Sequence, residues 1–187
     1  ETFFWDYLNV TLSKTSTAAL LLIRIDDMVE LKIKYGMEAS YEMLKNLAYL
    51  LNNIKTDTQQ IFKLNDPIIA CCISDVTKAE AVQIAENIRK SVSESELFIK
   101  KITVSIGVLQ FQEISDRIQV SSEFIDELYN ITVNRLFIAN NNGGNSVCSQ
   151  SLTKDSIHSD KNILLVDNDD MNLEILSIAS LKVNPFA

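Results

Sequence analysis

Three stretches carry side chains whose types and spacing could do chemistry. The first, "IFKLNDPIIACCI" from Ile61 to Ile73, reads as two apolar strands joined by a short polar turn at Asn65-Asp66, with Pro67 opening the second strand. Such a tip lies at a sheet edge, where ligand chemistry often sits. The second is Asp26-Asp27, directly after the apolar run "AALLLIRI". Paired carboxylates suit a hard divalent cation. Adjacent residues at a strand end face different ways, however, so these two read more simply as solvated acids. The third is the acidic loop Asp167, Asn168, Asp169, Asp170 after "NILLV".

Other reactive types offer less. Cys71 and Cys72 are neighbours in a presumed strand, point to opposite faces and lack metal-ligand spacing. They read as buried, reduced thiols. The single His158 stands in a polar stretch, which leaves histidine catalysis and zinc binding without support.

These residues need elements to position them, and the chain has the material. Of 187 residues 47% are hydrophobic and 22% charged, ordinary for a globular protein with a real core. The net charge of −8, with no cluster of Lys or Arg, excludes a nucleic-acid footprint. No apolar run approaches a membrane span and no signal peptide opens the chain, so a cytoplasmic location is expected. The sequence starts at Glu1 and reads as part of something longer.

Phe4, Leu8 and Leu12 are spaced for a helix. Ala18 to Ile25 is apolar almost throughout, as for a strand covered on both faces. Met28 to Tyr35 is a short mixed segment with a stop at Gly36, and Met37 to Asn53 carries Met43, Leu44, Leu47, Leu50 and Leu51 on one helical stripe. After the hairpin, "TKAE" at Thr77 to Glu80 is a capping box for a helix running to about Val92. Ile102 to Leu109 is a strand. Ser121 or Ser122 caps a helix with Phe124, Ile125, Leu128, Thr132, Leu136 and Ala139 inward, ended by "NNNGG" before a short strand at Val147. The order β-α-α-β-β-α-β-α-β predicts an α/β or α+β sandwich, a central mixed sheet with an antiparallel hairpin covered by helices.

This order, with "LLLIRIDDM", "KYG", "VSIGV" and "NNNGGNSV" at matching places, resembles the GGDEF domain of bacterial diguanylate cyclases, a fold related to the nucleotidyl cyclase and polymerase palm. The resemblance covers residues 1–148. It implies a Gly-Gly-Asp/Glu-Glu-Phe signature at the hairpin, where this chain has Asn65, Asp66, Pro67, Ile68 and Ile69. It implies a magnesium-binding Asp where this chain has Arg24, and a second metal carboxylate where it has Pro67. The guanine-reading Asn and Asp of the family fall on Lys32 and Tyr41, and the phosphate-contacting Lys on Asn140. The family's Arg-x-x-Asp inhibition motif falls near "TDTQ" at Thr56 to Gln59. A fixed cation and a proline in place of two carboxylates remove the usual charge neutralisation of phosphoryl transfer, so magnesium binding is not expected. Asp26, Asp27 and Lys32 remain as residual ligand contacts, with Arg24 and Lys32 suited to phosphate.

Residues 149–160 are polar and aperiodic and read as a linker. Residues 161–187, "KNILLVDNDDMNLEIL" and beyond, resemble the first strand and helix of a two-component receiver, with Asp167 matching one acid of its pocket. A single strand and helix is too small to bury its own core. Together these features lead to the expectation of a catalytically inactive, non-enzymatic GGDEF-like module in a bacterial two-component or cyclic di-GMP signalling protein. It would work through a protein partner or a second copy of itself. The alternatives are a non-catalytic sensor of GTP or cyclic di-GMP and, third, an active cyclase.

Overall fold

The computed structural model describes residues 2–14, 17–64, 67–114 and 121–150. The linker from residue 151 onward and the receiver-like segment with Asp167 lie outside the described residues, as does the hairpin tip at Asn65 and Asp66.

The elements run α1 (Thr2–Lys14), β1 (Ala18–Ile25), α2 (Met28–Ile54), β2 (Gln59–Lys63), β3 (Ile68–Ser74), α3 (Lys78–Glu94), β4 (Val104–Gln110), a single 3-10 turn (Phe111–Glu113), α4 (Ser122–Asn141) and β5 (Val147–Cys148). The five strands form one sheet in the order β2-β3-β1-β4-β5. The β4–β5 pair is parallel and the other three pairs are antiparallel, so the sheet is mixed, as the element order predicts.

β1 occupies the centre because it has no polar side to show to water. Seven of its eight residues are buried, and Arg24 is the exception. Period-two alternation feeds two separate cores. Ala19, Leu21, Ile23 and Ile25 meet the inner faces of α2 and α3, while Ala18, Leu20 and Leu22 meet α1 and α4. Each fully buried Leu or Ile among them contributes about 1.5–3 kcal/mol relative to exposure. The same alternation divides the two cysteines. Cys71 enters the first core and Cys72 the second, and burial pushes the Cys71 thiol up to about 12 and the Cys72 thiol well above its ordinary value. Neither is a thiolate nucleophile at neutral pH.

The capping box at Thr77 forms as its spacing predicts. Glu80 N–H donates to Thr77 Oγ1 at 3.3 Å, and Thr77 N–H donates back to Glu80 Oε2 at 2.9 Å. Gly36 is the expected stop. Its φ of 84° and ψ of 171° are not helical, so α2 is two helical segments that meet there at a kink, and Ser40 Oγ donates to the Gly36 carbonyl at 3.0 Å.

Two details of α4 were not foreseen. Phe124 is only half-buried, and Arg135 is buried on the core-facing side. Arg135 is held by a fork of contacts. Nη1 donates to the Val108 carbonyl at 2.7 Å and to Glu113 Oε1 at 3.2 Å, and Nη2 donates to Glu113 Oε2 at 3.0 Å. Lys78 Nζ reaches the same carboxylate at 2.8 Å. Burial pushes the Glu113 carboxyl up, but Arg135, Lys78 and the Gln110 amide together hold it below the usual carboxylate range.

A depressed folded pKa contributes stability above the unfolded value and loses it as pH falls through the folded one. Glu113→Gln should therefore cost about 2–4 kcal/mol at pH 7, because it leaves a buried guanidinium without its counter-charge. The gap to the parent should begin to narrow below about pH 4.5, the ordinary glutamate range, and close as pH falls further through the lowered pKa of the parent carboxylate. Urea midpoints measured from pH 7 to pH 3 check this, and a gap independent of pH would contradict it.

Candidate functional site

The site lies where the C-terminal end of β1 meets the β2–β3 hairpin, the start of α2 and the end of α4. Arg24 is paired in register with Ile68 of β3 on one side and Ser105 of β4 on the other. Alternation puts it on the same sheet face as Leu20 and Leu22, at the point where their core ends. Its Nε is buried and has no hydrogen-bond partner.

Two residues on, Asp26 is buried rather than solvated, which corrects the simplest sequence expectation. Its carboxylate is fully committed. Oδ1 accepts from Ser105 Oγ at 2.6 Å and Asn140 Nδ2 at 2.9 Å, and Oδ2 accepts from Thr103 Oγ1 at 2.7 Å and the Asn145 amide at 2.7 Å. The Asp26 amide also donates to the Thr103 carbonyl at 3.0 Å. One side chain thus ties β1, β4, the end of α4 and the turn before β5. Gly144 makes the turn fit. It sits at φ +68°, and a Cβ there would lie 2.9 Å from the Asp26 carboxyl carbon. The residues that hold Asp26 come from the motifs that carried the resemblance: Ser105 in "VSIGV", and Asn140, Gly144 and Asn145 in "NNNGGN". Asn140 stands where the resemblance implies a phosphate-binding lysine, and its amide faces Asp26 instead.

Asp27 is exposed. It caps α2 in the left-handed conformation, φ 53° and ψ 26°, and its side chain makes no cap hydrogen bond. Lys32 is half-buried on the first turns of α2 and is engaged by a neighbour.

On the other side of the hairpin, a cavity of about 200 Å³ opens between α2 and the strands. Its lining includes Tyr41, Leu44 and Ala48 from the helix and Pro67, Ile68 and Ile69 from the hairpin, with Lys45 and Lys63 also contributing. Lys63 Nζ lies 5.2 Å from the centre of the Tyr41 ring. Of the hairpin positions singled out in the sequence, Pro67, Ile68 and Ile69 therefore border one cavity, and Arg24 is the cross-strand partner of the middle one.

A divalent metal, which the resemblance implies, does not fit these residues. Arg24 brings a fixed cation, Pro67 has no side-chain donor, and both Asp26 oxygens are occupied by hydrogen bonds. Among the described residues no three His, Cys, Asp or Glu side chains gather into a metal-holding group.

A mixed five-stranded sheet with helices on both faces, and a hairpin cavity beside the end of the central strand, defines a nucleotidyl-cyclase-like fold. The family described as diguanylate cyclase, GGDEF domain, matches residues 2–131. The chain belongs to the GGDEF family. The fold is similar to that of the active GGEEF domain of a diguanylate cyclase from Vibrio cholerae, with a TM-score of 0.69 and 19% identity over 81% of this chain and 97% of that one. It is also similar to the GGDEF domain of YfiN from Pseudomonas aeruginosa, with a TM-score of 0.72 and 20% identity over 82% and 96%. In sequence, an uncharacterized membrane protein of Staphylococcus epidermidis is 33% identical over 100 residues, 51% of this chain and 28% of that protein. A Staphylococcus haemolyticus relative with the same description is 32% identical over the same shares. The chain thus spans less than a third of these relatives' length. Among the described residues no helix is long and apolar enough to cross a membrane.

These findings overturn the expectation of a non-enzyme. The matching family is one of cyclases, and the Vibrio cholerae domain of like fold is described as active. The substitutions at Arg24 and Pro67 change individual side chains within a scaffold that the family shares, and they do not take the chain out of it.

Proposed function

We propose that this chain is a nucleotide-binding signalling domain of the GGDEF family, taking a guanine nucleotide, GTP or cyclic di-GMP, at the β1–hairpin site. The observation that carries this reading is the cavity between Tyr41 and the Pro67–Ile69 segment. It offers an aromatic ring and an aliphatic floor to a flat base, with two lysines beside it for an anionic group. The start of α2 adds backbone amides that the Asp27 side chain leaves uncapped, a favourable end for phosphate. Family membership supports the same assignment, and a GGDEF domain of DgcB from Caulobacter crescentus with a like fold is known in complex with cyclic di-GMP.

Calorimetric titration of the 187-residue chain with GTP and with cyclic di-GMP tests the reading. A saturable heat with either nucleotide, weakened at least tenfold by Tyr41→Ala, is the expected result. No binding of either at millimolar concentration would overturn it.

A second reading, contact with a protein partner or a second copy, is favoured by one feature. Val29 and Ile33 before the break at Gly36, and Met37 and Tyr41 after it, are all exposed, Ile33 at 82%. Clustered exposed apolar side chains are a common mark of an interaction surface. Light scattering across a concentration series, with and without Ile33→Glu, tests that surface.

A further inference from the structure

We propose that Arg24 takes the place of the metal ion at this site, so that nucleotide phosphate is bound by a guanidinium and without a divalent cation. This rests on the nucleotide-binding reading above and adds the means by which the phosphate is neutralised.

The argument starts from an orphan. Among the described residues, two buried side-chain nitrogens lack a hydrogen-bond partner, Arg24 Nε and Arg135 Nε. Buried polar groups of a charged side chain are costly unless paired, so each such atom needs a reason. For Arg135 the reason is local. Its two terminal nitrogens are spent on the Val108 carbonyl and the Glu113 carboxylate, and the Nε is the one left over. Among the described residues no contact explains the Arg24 Nε in the same way.

The nearest acid in sequence on the same strand face, Asp26, has turned its two oxygens to Thr103, Ser105, Asn140 and Asn145. The closing of that ring of bonds has two effects. It leaves Asp26 bonded to groups other than Arg24, and it occupies a carboxylate that a metal would need. Of its two cross-strand partners, Ile68 offers no acceptor side chain, and the Ser105 hydroxyl is turned to Asp26. A cation held at the end of the central strand, cross-strand from Ile68 of the cavity lining and four residues before α2 begins, is placed for an external anion.

Guanidinium suits that task. It presents donors in a planar fork that matches two phosphate oxygens, and it stays charged at any physiological pH. Magnesium needs oxygen ligands in octahedral array, which these side chains do not supply. Charge neutralisation is therefore built into the chain and does not depend on an ion from solution.

The test uses the 187-residue chain and calorimetric titration of GTP and cyclic di-GMP, each in 5 mM magnesium chloride and again in excess EDTA. We expect dissociation constants within about threefold of each other in the two buffers. We expect Arg24→Gln to weaken binding at least tenfold in both, and Arg24→Lys, which keeps the charge but not the fork, to fall between. Arg24→Asp, which sets a negative charge where the phosphate would lie, should bind no better than Arg24→Gln in either buffer. Thermal unfolding of each variant establishes that the fold survives. Should a variant fail to fold, the comparison of buffers on the parent chain decides alone. Parent binding that needs magnesium, with at least a tenfold loss in EDTA, would overturn the inference while leaving the nucleotide reading intact. Binding in neither buffer would overturn the nucleotide reading, and this inference with it.

Discussion

Asp26→Ala should destabilise the domain by about 3–5 kcal/mol, through loss of hydrogen bonds to a buried charge and the void that follows. For a domain of this size that corresponds to a fall of roughly 10 °C or more in melting temperature. Four donors converge on the one carboxylate: the Ser105 and Thr103 hydroxyls, the Asn140 amide and the Asn145 backbone N–H. Removing the acceptor strands all four. The hydroxyls can turn to other partners, whereas the Asn145 N–H is fixed by the turn it belongs to. Asp26→Asn separates acceptor chemistry from shape. Its new amide group can sit at the Oδ1 position, where the Ser105 hydroxyl can rotate to accept and Asn140 can flip to present its oxygen. At the Oδ2 position it would face the Asn145 N–H, donor against donor. The asparagine variant should therefore cost only about 1–2 kcal/mol, because hydrogen bonds to a charge give way to bonds with a neutral amide. Chemical denaturation of both variants checks the pair. A loss under about 1 kcal/mol for the alanine would show that the carboxylate is not the tie described here.

Much of this architecture was legible in the residues, and the reasons differ from element to element. β1 was plain because eight residues with hardly a polar side chain fit only a strand covered on both faces. The cap of α3 was plain because Thr77 and Glu80 are three apart, the spacing that reciprocal bonds require. Gly36 was legible as well. A glycine signals a break in helical geometry, and the stripe of Met43, Leu44 and Leu47 after it announces the second helical segment, which packs on the sheet. The role of Asp26 was not legible at all. Its partners lie 77 to 119 residues away, and no local pattern announces that Thr103, Ser105, Asn140 and Asn145 will meet on one carboxylate. The motif fragments around them pointed to the family without revealing what those fragments do. Arg24 was legible as a departure from the family's acid, but the unpartnered burial of its Nε was not, because that depends on tertiary packing.

Gly107→Val should be more damaging still, and for a reason that separates it from the other glycines. Gly107 lies in β4, opposite Leu22 of β1, where α4 crosses the sheet. A Cβ built there would overlap the Thr132 carbonyl oxygen and lie 2.5 Å from the Leu136 amide nitrogen. These are backbone atoms of a helix, so no side chain can swing away. The helix itself would have to lift from the strand, and Leu128, Leu136 and Ile125 would lift with it from the core they share with Leu20 and Leu22. Overpacking in a tight interior costs about 1–3 kcal/mol where side chains can adjust. Against rigid backbone, and with two further methyls, roughly 4 kcal/mol or more is expected, a large share of the whole stability of an ordinary domain. Gly36→Ala is the comparison. Nothing lies within 4 Å of a Cβ at Gly36, but its φ of +84° strains any L side chain. That variant should lose only about 1–2 kcal/mol, the conformational cost alone. Gly107→Ala, which adds one methyl at an ordinary backbone angle, should exceed it. Urea denaturation of the three variants gives the order directly. A Gly107→Ala loss equal to or smaller than that of Gly36→Ala would mean that α4 can move away from β4 at little cost, and that its packing does not fix the position of Asn140 and the Asp26 cluster at its end.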